Sequence, residues 1–471
     1  MEVKNQRILV VGLGKSGVAS ALFLKARGAR VTVSDAKTEE ELRQEIPSLL
    51  DAGIAVEAGG HGERTFRDQD LIVVSPGVPV DVPQLEQARA LGVPVIGEIE
   101  LASRFLSGHI VAITGSNGKT TTTALSGEVI SWGGYETLVG GNIGTPAISL
   151  VADSTSDTYV VLEVSSFQLE TIQSFHPFIA VVLNVSPDHL DRHRSFENYV
   201  AAKARIFENQ NESDFAVLNF DDPTCRDLAK KTRAHVRWFS RKGEVESGAW
   251  AADGKIWWRD DDNDRQELMP VSSIPLKGAH NLENVLAAAC CGRIVGAEPR
   301  RVASAVSEFK AVEHRLEYVA TLNGVEFYND SKATNVDATI KALESFSGGI
   351  HIILGGKDKG SDYSVLAPLL KARVRRVYTI GAAAEKIEQQ IAGAAEVLRA
   401  ETLENAVRRA AEAASPGEVV LLAPACASFD QFQNYEHRGR VFKEAVAALE
   451  ARAKGPSAAA IPGEGGAQAH G

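Results

Sequence analysis

Short apolar runs that end in glycine or in polar clusters recur along this chain, with helical spacing between them. "RILVVGLG" reads as a buried strand, "KSGVASALFLKARG" as a helix with a glycine stop, and "RVTVSD" as the next strand. "DLIVVSPGVP" and "VPVIGEIELASRFL" continue the alternation to about residue 105. "HIVAITGSNGKTTTTALSGEVISWGG" opens a second unit of strand, glycine-rich loop and helix, followed by the strands "TYVVLEVSSFQL", "IAVVLNVSPDHL" and "FAVLNFDD". Between 236 and 275 aromatic and polar residues alternate among turn signals, which predicts β-hairpins inserted in this unit. "GAHNLENVLAAACCGRIVG" returns to helix.

A third unit starts near 313, with strand-plus-loop segments "VEFYNDSKATN", "IHIILGGKDKG", "RRVYTIG" and "EVVLLAPACASFDQF". The expected architecture is three consecutive α/β domains, 1–105, 106–312 and 313–452, with a disordered Gly/Pro/Ala-rich tail from 453 to 471. Open sheets of this kind bind ligands at the C-terminal ends of their strands, so the polar strand ends are the places to search.

The 471 residues carry a formal net charge of −11, which disfavours a nucleic-acid partner held by a broad basic surface. Local lysines can still hold a phosphorylated small ligand. None of the four cysteines shows metal spacing, no signal-peptide pattern leads the chain, and no apolar run is long enough to span a bilayer. A cytoplasmic protein without membrane insertion is expected.

Gly12-x-Gly14-x-x-Gly17, with Asp35 ending the next strand, matches a dinucleotide fingerprint. Close helix–strand packing is its alternative reading, and an NAD-dependent oxidoreductase is the functional reading it would support if it stood alone. Gly115-Ser116-Asn117-Gly118-Lys119-Thr120 is a phosphate loop shortened at its front. Successive N–H groups in such a turn make an anion nest, Lys119 is placed to neutralise phosphates, and the Thr120 hydroxyl suits magnesium. Glu163 at a strand end is a natural magnesium ligand. "NVSPDHLDRH" crowds Asp188 and His189 just past a strand, as a metal or substrate site or as a solvated loop capped by Asp188. Lys203 lies in an Ala-rich helix, where a lysine ordinarily snorkels to solvent. In "YNDSKATN", Asp330 or Ser331 would serve as a helix N-cap.

The ordered set "TGSNGKTTT", "LEVSSFQL", "NVSPDHLDRH", "GAHNLENVLAA" and "EHRLE" resembles the Mur ligase family of bacterial cell-wall synthesis, from residue 5 to about 450. "DSKATN" and "SFDQF" are similar to its D-glutamate-adding branch. The resemblance implies ATP-dependent ligation of D-glutamate to UDP-N-acetylmuramoyl-L-alanine by a monomer with a Rossmann-like first domain, a central ATPase and a Rossmann-like third domain. It implies that Gly14, Ser16, Asp35, Lys37, Ser75, Gly77, Asn142 and His189 contact the UDP substrate. It implies ATP contacts from 115–121 (Gly115, Ser116, Asn117, Gly118, Lys119, Thr120 and Thr121), and from Asn281, Asn284, Arg315, Asp330 and Lys332. Thr334, Lys359, Ser428, Phe429 and Tyr435 match D-glutamate loops, with Lys357 competing for the place of Lys359. Two magnesium ions held by Thr120, Glu163, His189 and a CO2-carbamylated Lys203 complete the implied catalytic set with Lys119. A different amide ligase, such as a folylpolyglutamate synthase type, and a non-catalytic nucleotide-binding protein are the alternatives.

Overall fold

The computed structural model describes residues 1–261, 265–276, 278–310 and 312–454. The tail from 455 onward lies outside them, and the last helix, Tyr435–Lys454, runs two residues past the domain end expected at 452. The chain divides into two compact units, 1–312 and 313–471.

Two sheets build the first unit. Five parallel strands lie in the order Ala55–Ala58, Arg30–Asp35, Arg7–Val11, Leu71–Val74, Val95–Gly97. The inner strands are unbroken apolar runs because helices cover both faces of such a sheet. The second sheet has nine strands, centred on His109–Thr114 between Ile179–Val182 and Tyr159–Glu163. One apolar cluster runs across both sheets, from Ile8 and Ile99 to Ile148, Leu162 and Val182, so the expected boundary near 105 separates sheets but not cores.

The segment 236–275 holds the expected inserted hairpins, Gly248–Ala252 with Lys255–Arg259 and Lys255–Arg259 with Gln266–Pro270, but begins with parallel pairings. Its first strand, His235–Ser240, pairs parallel with Phe215–Asn219, and Gly248–Ala252 pairs parallel with it. Only Lys255–Arg259 and Gln266–Pro270 turn back antiparallel. Trp258 packs with Ala249 and Ile256 in the core on one face, while the buried Trp250 lies on the opposite face beside Trp257, and the segment extends the central sheet.

The second unit is a six-stranded sheet in the order Glu317–Leu322, Val325–Asn329, Val419–Leu422, Ile350–Gly355, Val374–Ile380, Glu396–Glu401, antiparallel only at its first pair. Its polar loops 330–335, 356–363 and 424–434 follow the C-terminal ends of three adjacent strands.

Candidate active site

The strand His109–Thr114 runs straight into Gly115 (φ 150°), and Gly118 (φ 88°) starts the helix Lys119–Trp132. A Cβ at Gly118 would sit 2.3 Å from Asn284 Oδ1, so both conformation and space demand glycine. The loop is held from the neighbouring strand end. Asn184 Oδ1 accepts the Asn117 N–H (2.9 Å), its Nδ2 donates to Asn117 O (3.1 Å), and its carbonyl accepts the Ser116 N–H (2.9 Å). Ser116 Oγ donates to Ser186 O and accepts the Ser186 N–H, each at 2.9 Å.

Lys119 Nζ donates to Gly115 O and Ser116 O, both at 2.9 Å, which curls the lysine over the loop. Thr120 Oγ1 donates to Glu163 Oε2 and Asn142 Nδ2 to Glu163 Oε1, each at 2.8 Å. Thr121 is buried in the same first turn. Asn281 and Asn284, buried near the start of the helix Ala279–Ile294, bond each other (3.0 Å), and Asn284 Oδ1 accepts from Thr122 Oγ1 (3.2 Å).

Lys203 does not snorkel. It is 1% exposed at the end of the helix Phe196–Ala204, and its Nζ donates to Gly115 O at 2.9 Å. The Tyr199 ring lies 4.6 Å from it. Burial pushes this ammonium well below the usual lysine range and the nearby Lys119 charge adds to the effect, while Asp188 and Glu163 oppose it. Lys119, Glu163, Asp188 and Lys203 therefore share one electrostatic environment.

His189 has a left-handed backbone (φ 53°) and stands itself at the N-cap of the short helix Leu190–His193, so Asp188 is not that helix's cap. Asp188 Oδ1 instead accepts the His189 N–H at 2.9 Å. The His189 ring meets Phe167 edge-on at 5.0 Å. Among the described residues no group of three or more His, Cys, Asp or Glu side chains could hold a metal ion. The Thr120 hydroxyl beside the Glu163 carboxylate offers a pair of hard oxygens that fits magnesium.

In the first sheet, Gly12 (φ 88°) and Gly17 are structural: a Cβ at Gly17 would lie 1.9 Å from Gly12 O. Gly14 and Gly77 are exposed, with no heavy atom within 4 Å of a built Cβ, so both leave room for a ligand. Asp35 uses its two oxygens on the N–H groups of Leu13 (2.6 Å) and Lys37 (2.9 Å), and Ser75 Oγ donates to Gly12 O (2.8 Å). Both shape the loops that present the half-buried Ser16 and the exposed Lys37.

In the second unit the helix N-cap after "YNDSKATN" is Asn335, whose side chain accepts the Ala338 N–H; Asp330 and Ser331 do not cap it. Asp330 is buried and accepts the Leu316 N–H (3.2 Å). Burial raises its carboxyl to about 6, against the opposing pull of Arg315, the Leu316 N–H and Lys332. Lys332 Nζ stands 5.3 Å over the Tyr435 ring, and Thr334 is half-buried beside it. Lys357 and Lys359 are both exposed, but Lys357 is tied through its backbone to Ala427. Ser428 is buried, whereas Phe429 is 68% exposed.

The three blocks of this chain match three family models in order: Mur ligase MurD-like N-terminal domain at residues 6–97, Mur ligase middle domain at 113–292, and Mur ligase glutamate ligase domain at 314–426. Curated relatives cover almost the whole chain. The UDP-N-acetylmuramoylalanine–D-glutamate ligase of Koribacter versatilis is 66% identical over 95% of this chain and 98% of its own length. The ligase of the same name from Acidobacterium capsulatum is 58% identical over 98% and 100%. The chain belongs to the Mur ligase family. Solved structures share the family fold at low identity. The UDP-N-acetylmuramate-alanine ligase of Thermotoga maritima has a TM-score of 0.59 at 20% identity, covering 94% of this chain and 100% of that one. The MurF ligase of Thermotoga maritima in complex with ADP also scores 0.59, at 18% identity, over 89% and 95%.

Sequence reasoning missed two residues that shape polar loops of this Mur ligase, one in each unit. Asn184 was visible only as a polar strand end, yet it latches the phosphate loop from 67 positions away. Arg438 is fully buried in the second unit, donating to Ser331 Oγ (3.0 Å), Ser331 O (2.8 Å) and Cys426 O (3.1 Å), and so joins two of its polar loops. The available signal was helical spacing, since Tyr435, Val441 and Phe442, three and four positions from Arg438, form an apolar face around it.

Proposed function

We propose that this Mur ligase joins D-glutamate to the L-alanine carboxylate of UDP-N-acetylmuramoyl-L-alanine, converting ATP to ADP and phosphate in peptidoglycan precursor synthesis. The observation that carries this reading is the 66% identity, at full length, to a ligase named for that reaction.

A carboxylate resists attack because the incoming amine must add charge to an anion. Its oxygen first attacks the γ-phosphorus of ATP, the bond to the bridging oxygen breaks, and ADP leaves. The neutral amine of D-glutamate then adds to the acyl carbon of the acyl phosphate, and the tetrahedral intermediate expels phosphate as the nitrogen loses its proton. Phosphoryl transfer asks chiefly for positioning and charge neutralisation. The N–H groups of Gly118, Lys119 and Thr120 at the helix start and the Lys119 ammonium receive the phosphates in this reading. Asn142, braced on Glu163, orients the acyl end of the substrate. Asn281, Asn284, Arg315, Asp330 and Lys332 serve ATP, while Thr334, Lys359, Ser428, Phe429 and Tyr435 receive D-glutamate.

Two magnesium ions, held by Thr120, Glu163, His189 and a modified Lys203, would supply positive charge to the phosphate oxygens. Lys203 is suited to the modification because its burial favours the neutral amine. That amine adds to the carbon of CO2, an N–C bond forms and a proton is released, leaving an anion in place of a cation. Among the described residues no helix is long and apolar enough to cross a membrane. The reading places the enzyme in the cytoplasm as a monomer, which sedimentation tests.

The deciding experiment is ADP release with UDP-N-acetylmuramoyl-L-alanine and, in parallel, D-glutamate, L-glutamate, glycine and meso-diaminopimelate. Turnover with D-glutamate alone supports the assignment; preference for another amino acid overturns it.

A further inference from the structure

One side chain reaches from the His189 turn to the loop after the strand Leu71–Val74. Arg192 Nη1 donates to Pro76 O (3.0 Å) and Nη2 to Val78 O (3.2 Å), so the guanidinium grips the carbonyls on either side of Gly77. Nη2 also donates to Glu170 Oε2 (2.9 Å), and the guanidinium lies 4.0 Å over the Phe167 ring. The backbone of the same residue donates to His189 O (3.1 Å). Phe167 in turn meets His189 edge-on and stacks on the buried His193, whose Nε2 lies 2.9 Å from Ser166 Oγ.

We propose that Arg192 is a positioning residue for the sugar-nucleotide substrate, setting the Ser75–Gly77 loop in register with the His189 turn. This rests on the reading that those two segments bind opposite ends of that substrate. Arg192 holds the carbonyls on both sides of Gly77, and no heavy atom lies within 4 Å of a Cβ built there, so the held loop keeps room for a ligand. A planar fork can bracket two carbonyls and a carboxylate together, and a lysine ammonium has no such geometry. The neighbouring Arg194–Asp81 pair is too exposed to replace this tie.

The test measures binding of UDP-N-acetylmuramoyl-L-alanine by calorimetry, alongside steady-state KM values, for the intact chain and for Arg192→Ala, Arg192→Lys and Glu170→Gln. Loss of charge-assisted bonds to the loop should weaken sugar-nucleotide binding by about tenfold or more in Arg192→Ala, with the KM for ATP changed less than about twofold. Added guanidinium ion should recover part of the affinity in Arg192→Ala and none in Arg192→Lys. Glu170→Gln, which keeps the loop bonds, should show a smaller loss. If Arg192→Ala does not fold, Arg192→Lys carries the comparison. Equal changes in both KM values, or unaltered sugar-nucleotide binding in a folded variant, overturn the proposal alone. Failure of the unmodified protein to bind the sugar nucleotide overturns the functional reading as well.

Discussion

Lys119 and Lys203 donate to one and the same acceptor, the Gly115 carbonyl, each at 2.9 Å. Burial drives Lys203 towards its neutral form, and the repulsion between two ammonium groups on one oxygen adds to that effect. The lysine that sequence pattern alone leaves on a solvated helix is thus the one whose neutral amine would suit the proposed reaction with CO2.

Replacement of Lys203 should therefore abolish turnover while leaving the fold intact. Lys203→Ala is expected to lose at least about a hundredfold in kcat, with partial recovery on adding short carboxylates such as acetate or formate. Lys203→Arg, which cannot form the carbamate, should stay inactive with or without them. Full activity of either variant in CO2-depleted buffer would count against the modification.

Gly118→Ala tests the phosphate loop. The new methyl group would meet Asn284 Oδ1 at 2.3 Å on a backbone with φ of 88°. The expected cost is about 1–3 kcal/mol of stability, read by urea denaturation. The KM for ATP should rise much more than that for the sugar nucleotide.

Glu98 gives a pH signature. It is buried where the two sheets of the first unit meet, and it accepts the Ile148 N–H at 2.8 Å. Burial raises its carboxyl from 4.5 to about 7, outweighing the N–H groups of Ile148 and Ala147 and the Gln168 side chain. Above pH 4.5 the unfolded chain releases this proton while the folded chain keeps it. The contribution to stability is therefore complete below 4.5 and disappears as pH rises through about 7. Glu98→Gln keeps an acceptor for Ile148 and should gain up to about 3 kcal/mol on the native protein between pH 4.5 and 8, measured as the difference in unfolding free energy. Parallel pH profiles for the two proteins would refute this.

Arg438 should matter for both stability and the amino acid. Burial lowers its guanidinium to about 10, against the pull of Cys426 and Asp430. Arg438→Ala leaves the carbonyls of Ser331 and Cys426 without their donor, at an expected cost of about 2–4 kcal/mol. Because Ser331 and Ser428 flank those carbonyls, the KM for D-glutamate should rise more than the KM for the sugar nucleotide. Arg438→Lys should show the same pattern, smaller in size.

Local patterning was enough to place most strands, because fully covered parallel strands must be unbroken apolar runs, as in Leu71–Val74 and Ile179–Val182. The stretch 236–275 was harder, since alternation marks one buried face but not the direction of the neighbouring strand. Helix capping misled at Asp188 and Asp330, where several polar residues compete within one loop and the choice depends on which of them another element already engages.

The sequence by itself determined the α/β alternation, the shortened phosphate loop and the order of polar strand ends, because glycine freedom, side-chain periodicity and charge act over a few residues. Tertiary structure alone decided that Asn184 latches that loop, that Lys203 turns inward onto Gly115, and that Arg192 and Arg438 each tie two loops together. The reason is physical: hydrogen-bond partners and desolvation depend on which strand ends the fold makes neighbours, and residues far apart in the chain carry no local mark of that meeting.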